Sequence, residues 1–146
     1  MAVTVKIATI WARKAPDRAG LTAEVLEPLA EAGANLNCVM SYCIPGEPPG
    51  AAVEVFPIKG KKVEAAAREA GLEPSATRCL QLDGDDRPGL AATLSRAIAD
   101  VGINMNFLMA QTVGRKFTAM IGFASDSDAS TAAKAIKAAA RQRSRR

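Results

Sequence analysis

Residues 17–40 and 86–109 are two copies of one segment, and no other feature of the chain restricts its fold so strongly. Sliding the sequence by 69 positions sets DRAGLTAEVLEPLAEAGANLNCVM on DRPGLAATLSRAIADVGINMNFLM without a gap, with ten of the 24 pairs identical. The identities include Gly20/Gly89, Gly33/Gly102, Asn35/Asn104 and Asn37/Asn106. A repeat of this density favours two modules of roughly 70 residues over one continuous domain. The expected organisation is a first module over 1–72, a second over 73–141 and a basic tail over 142–146. Modules that small bury only about 60% of their unfolded surface, so each needs another module or a second subunit to lean on. The core available to them is aliphatic and thin, because apolar residues make up 49% of the chain but aromatic ones only 4%.

Periodicity gives both copies the same elements. Val3, Val5, Ile7, Thr9 and Trp11 alternate with less apolar neighbours and predict one strand ahead of the first Asp-Arg pair. Ala76–Leu82 predicts its counterpart ahead of the second. Leu21, Val25, Leu29 and Ala32 form a helical stripe, matched by Leu90, Leu94, Ile98 and Val101. Gly33 and Gly102 stand where a helix end calls for positive φ. Pro28 lies inside the first helix and predicts a kink that the second copy, with Ala97, lacks. A hairpin follows, with Leu36, Cys38, Met40 and Tyr42 on one face in the first copy and Met105, Phe107 and Met109 in the second. The returning strands are expected over 51–58 and 116–124, and closing helices over 61–70 and 129–141. The order is β-α-β-β-α twice, with a fourth strand missing or ambiguous in each copy.

Several function classes are disfavoured at this level. The net charge of +4 comes from Arg141, Arg143, Arg145 and Arg146; the rest of the chain carries 15 basic and 15 acidic residues. No basic stripe with interleaved aromatics is present, so nucleic acid is not an expected partner. No apolar run approaches 18 residues, so no membrane span is expected. Cys38, Cys43 and Cys79 lack zinc-ligand spacing and are expected to be reduced, in a cytoplasmic setting. The chain contains no histidine, which removes the commonest general base and metal ligand. No phosphate-binding loop, dinucleotide fingerprint or nucleophile elbow occurs, so neither an enzyme nor a cofactor is expected.

The segments carrying ligand chemistry are the two strand-to-helix corners, Asp17-Arg18-Ala19-Gly20-Leu21 and Asp86-Arg87-Pro88-Gly89-Leu90. The bland reading is a helix start with Asp as N-cap. The functional one is that a helix N-terminus with a nearby Gly offers N–H groups and partial positive charge to a carboxylate or phosphate. Asn35 and Asn104 follow the helix-ending glycines, in opposite phase to the apolar hairpin positions. An amide there can cap a turn, or both donate to and accept from a zwitterion.

Asp-Arg-Pro-Gly-Leu, a helix with Leu and Ile at i+4 spacing, then Val-Gly-Ile-Asn closely resembles the ACT domain family. The resemblance covers nearly the whole chain as two tandem domains and is strongest over 86–109. It implies an α+β, ferredoxin-like βαββαβ fold, antiparallel sheets with helices on one face, and a regulatory module that commonly binds an amino acid between two such domains. Carried onto matching positions, it implies ligand-binding roles for Asp86, Arg87, Gly89, Leu90 and Asn104, and for Asp17, Arg18, Gly20, Leu21 and Asn35. Ala19 departs from the family's proline. The expectation is a stand-alone sensor, a homodimer able to signal to a protein partner, with the second copy the better site. The alternative is a ligand-free interaction or oligomerisation module; a third reading, a small acylphosphatase-type enzyme, requires a single site where the motif here occurs twice.

Overall fold

The computed structural model describes residues 3–144. Along the chain run β1 (Thr4–Ala8), β2 (Trp11–Pro16), α1 (Leu21–Glu31), β3 (Cys38–Ile44), β4 (Gly50–Phe56), α2 (Lys61–Glu69), β5 (Glu73–Pro74), β6 (Arg78–Asp85), α3 (Leu90–Asp100), β7 (Phe107–Val113), β8 (Lys116–Phe123) and α4 (Asp126–Ser144). They form two compact units: Thr9–Ser75, and the chain on both sides of it.

The first unit holds an antiparallel sheet in the order β3-β4-β2-β5, the second one in the order β7-β8-β6-β1. Three strands of each order match under the repeat, and β5 and β1 take the same place at the sheet edge, so each unit is a ferredoxin-like module with a pair of helices on its sheet. The fourth strand expected to be missing is present in both. In the first unit it is the two-residue β5 beside β2. In the second it is β1, which pairs with β6 from Thr4↔Asp83 to Ala8↔Cys79.

The single strand expected over 3–11 is therefore two strands in two sheets. Val3 and Val5 pack in the core of the second unit, with Leu80, Leu82, Leu90, Leu94, Ile98 and Phe123, whereas Trp11 packs with Leu21, Val25, Leu29, Val53 and Val55 in the first. A period of two does not reveal this division, because Val3 and Val5 before the break and Trp11 after it keep the same odd phase although they pack in different cores. The boundaries anticipated at 1–72 and 73–141 follow the order of the repeats, whereas the compact units assign Thr4–Ala8 to the sheet of the second copy. Of the anticipated tail, residues 142–144 continue α4, and Arg145 and Arg146 lie outside the described residues.

The helices follow the expected stripes, with Leu21, Val25 and Leu29 buried in α1 and Leu90, Leu94 and Ile98 in α3. Fully burying one such side chain is worth about 1.5–3 kcal/mol, so these positions anchor each helix to its sheet. Gly33 (φ 86°) and Gly102 (φ 74°) end α1 and α3 as expected. Their closing bonds, Ala34 N–H to Leu29 O at 2.9 Å and Ile103 N–H to Ile98 O at 3.3 Å, form the same wrap in both copies. The helix assignment continues through Pro28, whose missing N–H leaves the Glu24 carbonyl without its helical donor. The last helix is capped by Ser125, whose Oγ accepts from the Asp128 N–H at 3.1 Å.

Candidate ligand site at the strand-to-helix corners

Neither helix is capped by the aspartate of its corner. Gly20 (φ 87°) and Gly89 (φ 76°) are the N-cap residues, both in the left-handed region, and no side chain bonds to either helix start. Positive φ explains why both copies place glycine here. The aspartates lie three residues earlier and fix the corner to the neighbouring hairpin. Asp17 donates its N–H to Pro49 O at 3.1 Å, and Asp86 does the same to Arg115 O at 2.8 Å. Thr112 Oγ1 donates to Asp86 Oδ1 at 3.1 Å. In the first copy the matching residue is Cys43; desolvation and the adjacent Asp17 carboxylate push its thiol pKa up. Arg18 O and Arg87 O accept from the N–H groups of Leu21 and Leu90. The next two first-turn N–H groups, of Thr22 and Ala23 or of Ala91 and Ala92, have no intrahelical acceptor and face outward from an uncapped end.

The corners differ in charge. In the second copy an open cleft of ≈ 480 Å³ is lined by Asp85, Asp86, Arg87, Gly114, Arg115 and Lys116. Lys116 Nζ lies 2.7 Å from Asp85 Oδ1, and that hydrogen bond holds the Asp85 carboxyl below its usual range. Arg87 is exposed and forms no ion pair among the described residues. Three cations thus face two carboxylates. A second hollow, lined by Val3, Arg87, Leu90, Thr93 and Ala139 among others, measures ≈ 20 Å³ and has room for about one water. In the first copy Pro49 and Gly50 stand where Arg115 and Lys116 stand in the second, so the hairpin brings no cation. There Arg18 is paired with Glu24.

Each residue anticipated at the site now has a place. Asp17, Arg18, Gly20, Asp86, Arg87 and Gly89 are exposed at the corners. Leu21 and Leu90 are 3% and 6% exposed and belong to the cores, so they anchor the helix start and do not face a ligand. Asn35 and Asn104 are exposed, each flanked by residues packed on a core: Ala34 and Leu36, Ile103 and Met105. They lie in the loops before β3 and β7. The Gly89 corner sits at the start of α3 and Asn104 beyond its end, so the 11-residue helix holds them about 16 Å apart along its axis. The sheet agrees: Asn106 N–H bonds to Gly122 O at one end, and Asp86 N–H to Arg115 O at the other. One module does not bring its corner and its asparagine together.

The hairpin phase also differs from expectation. Ser41 Oγ lies 2.6 Å from Thr22 Oγ1 of α1, so Ser41 faces the helices and Cys38, Met40 and Tyr42 face away. Tyr42 instead donates to Glu54 Oε2 at 3.2 Å, and Glu54 is only 9% exposed. Phe107 likewise lies over Gly122, opposite the core-facing neighbour Ile121. Arg115 and Lys116 escaped the sequence reading, and only their place in the hairpin beside the repeated corner could have pointed to them.

Among the described residues no helix is long and apolar enough to cross a membrane, and no three metal-ligating side chains converge. No known protein family matches the sequence, and no curated protein does. Solved structures do match. Protein BT0572 from Bacteroides thetaiotaomicron superposes with a TM-score of 0.70 at 15% identity, covering 89% of this chain and 88% of that one. The ligand-free regulatory subunit of aspartate kinase from Thermus thermophilus gives 0.60 at 22% identity, over 95% and 97%. The corresponding subunit from Thermus flavus gives 0.58 at 23%, again over 95% and 97%. Chains so similar over nearly their whole length share the two-module, ACT-type fold.

Proposed function

We propose that the protein is a regulatory sensor of the ACT type that binds an amino acid at the Asp86–Gly89 corner of its second module. The observation that carries this reading is Arg87, without an ion pair among the described residues, beside an uncapped helix start in an open, cation-rich cleft. A ligand carboxylate would accept from the Ala91 and Ala92 N–H groups and from Arg87, with the α3 dipole adding to the attraction. Asp86, oriented by Thr112, is the acceptor for an α-amino group. The likeness in fold to chains described as regulatory subunits supports a regulatory role.

Asn104 takes part only if another chain supplies it. β7 is a sheet edge whose sequence, FLMAQTV, has no charge, and Leu108 and Val113 are 42% and 67% exposed. Two-fold pairing sets an edge strand antiparallel to its own copy, and an edge without charges can pair in this way without like charges being brought together. Centred on Ala110, such a pairing puts Phe107 of one chain opposite Val113 of the other. It also carries the Asn104 loop to the end of the sheet where Asp86 and Arg87 stand. The proposed unit is therefore a homodimer whose ligand bridges a corner and a borrowed asparagine, and binding couples to assembly.

A thermal-shift panel of the twenty amino acids tests this. A ligand at about 100 times its Kd adds roughly 2.7 kcal/mol, a shift of several degrees for a chain of this size. Arg87→Ala and Asn104→Ala should each abolish the shift while leaving the unliganded midpoint near that of the unaltered chain. A flat panel would refute ligand sensing. If the protein were nonetheless dimeric, the uncharged edges would favour the second reading, an interaction module without a ligand.

A further inference from the structure

The two corners share their backbone geometry and differ, among other positions, at one in the first turn of the helix. Glu24 in α1 matches Thr93 in α3 under the 69-residue offset. The Glu24 carboxylate pairs with the Arg18 guanidinium, whereas Thr93 turns its Oγ1 back onto Gly89 O at 3.0 Å and Arg87 forms no ion pair among the described residues. The contrast extends to the surroundings: Asp17, Arg18 and Glu24 leave the first corner net negative, while Arg87, Arg115 and Lys116 outnumber Asp85 and Asp86 at the second.

We propose that Glu24 is a tethered stand-in for the ligand carboxylate: it occupies Arg18 and keeps the first corner from taking an anion, so that each chain binds one ligand, at the second module. This rests on the amino-acid reading above and adds the residue that decides which repeat binds. The physical basis is a competition. A free carboxylate arriving at the first corner must displace one that is already attached to the chain, and whose local concentration does not fall with dilution. It must also approach a helix start that carries an added negative charge. At the second corner no carboxylate among the described residues forms an ion pair with Arg87, and Thr93 adds no charge to the helix start. The pair is half exposed on both sides, so it closes the site by occupancy and charge rather than by a rigid lock.

Exchanging the two first-turn residues tests the proposal, with glycine as the probe because it is the smallest zwitterionic amino acid. Backbone amide shifts in a titration followed by NMR read each corner separately, at 20–23 and at 89–92. In the unaltered chain the amides of 89–92 should respond saturably and those of 20–23 should not. In Glu24→Thr, which installs the residue that the second copy tolerates, both sets should respond. The gain at the first corner should be up to about fivefold in affinity, the ratio corresponding to a ~1 kcal/mol ion pair. Thr93→Glu should weaken the response at 89–92 by a similar factor. A response of 20–23 in the unaltered chain, their silence in Glu24→Thr, or an undiminished response of 89–92 in Thr93→Glu would each overturn it. Silence of 89–92 in the unaltered chain would instead count against the amino-acid reading, and the behaviour of 20–23 in Glu24→Thr would still decide the role of Glu24.

Discussion

Gly122 is the position at which the second sheet tolerates no side chain, for a reason open to a direct test. It lies in β8 opposite Phe107, and a Cβ built there would come within 2.3 Å and 2.5 Å of two Phe107 ring carbons and 2.8 Å of Thr77 Cγ2. These are far inside van der Waals contact, so Gly122→Ala must push the ring aside. Overpacking of this kind costs about 1–3 kcal/mol, offset by the roughly 0.4–1 kcal/mol that replacing glycine gains through the unfolded chain. The expected net is a loss of up to about 2.6 kcal/mol, or a fall of up to several degrees in the thermal midpoint followed by circular dichroism. The cause is isolated by repeating the substitution in a Phe107→Ala background. With the ring gone, the two nearest clashes disappear and the Thr77 methyl at 2.8 Å remains, so the added methyl should cost much less. The coupling between the two sites should therefore be at least about 1 kcal/mol, within the range measured for residues in contact. An equal cost of Gly122→Ala in both backgrounds would refute the argument that Phe107 excludes a side chain at 122.

Removing residues 1–8 should weaken the second unit and not the first, because β1 supplies five ladder pairs to β6 and Val3, just before it, packs in the second core; hydrogen exchange should show lost protection at 79–83 and unchanged protection in β4. Glu54→Gln should change stability in a pH-dependent way. Desolvation raises the Glu54 carboxyl pKa, although the Tyr42 hydrogen bond and Lys14 oppose the shift, so the folded state is favoured most when the group is protonated and loses that advantage as pH rises through the folded-state pKa. The glutamine should therefore gain relative to the parent at pH 7 compared with pH 4, and a difference independent of pH in denaturant midpoints would contradict the shift.

Much of this fold could be read along the chain. The gapless match of Asp17–Met40 to Asp86–Met109 prescribed two modules of one topology, and the Leu, Val and Ile stripes identified the buried faces of α1 and α3. These readings succeeded because helix periodicity, glycine at positive φ and turn chemistry are local properties of the backbone. The corner motif was legible for the same reason, though not its cap: aspartate is a favoured N-cap, but Gly20 and Gly89 adopt the role and leave Asp86 to Thr112.

What depended on long-range contacts was decided elsewhere. Alternation over Val3–Trp11 told that the residues were strand but not that two sheets share them, since apolar periodicity records burial without saying in which core. The apolar run through Cys38, Met40 and Tyr42 marked a face but not which one, because the irregular loop after Gly33 resets the phase before β3 begins. Asn104 and the Asp86 corner, 18 residues apart and joined in one motif, lie at opposite ends of α3, because a helix converts sequence proximity into axial distance at about 1.5 Å per residue. The sequence by itself determined the repeat, its elements and the chemistry present at each corner. Only the tertiary structure decided which groups at those corners are free, because pairing Arg18 with Glu24 while leaving Arg87 open depends on where side chains end up in space.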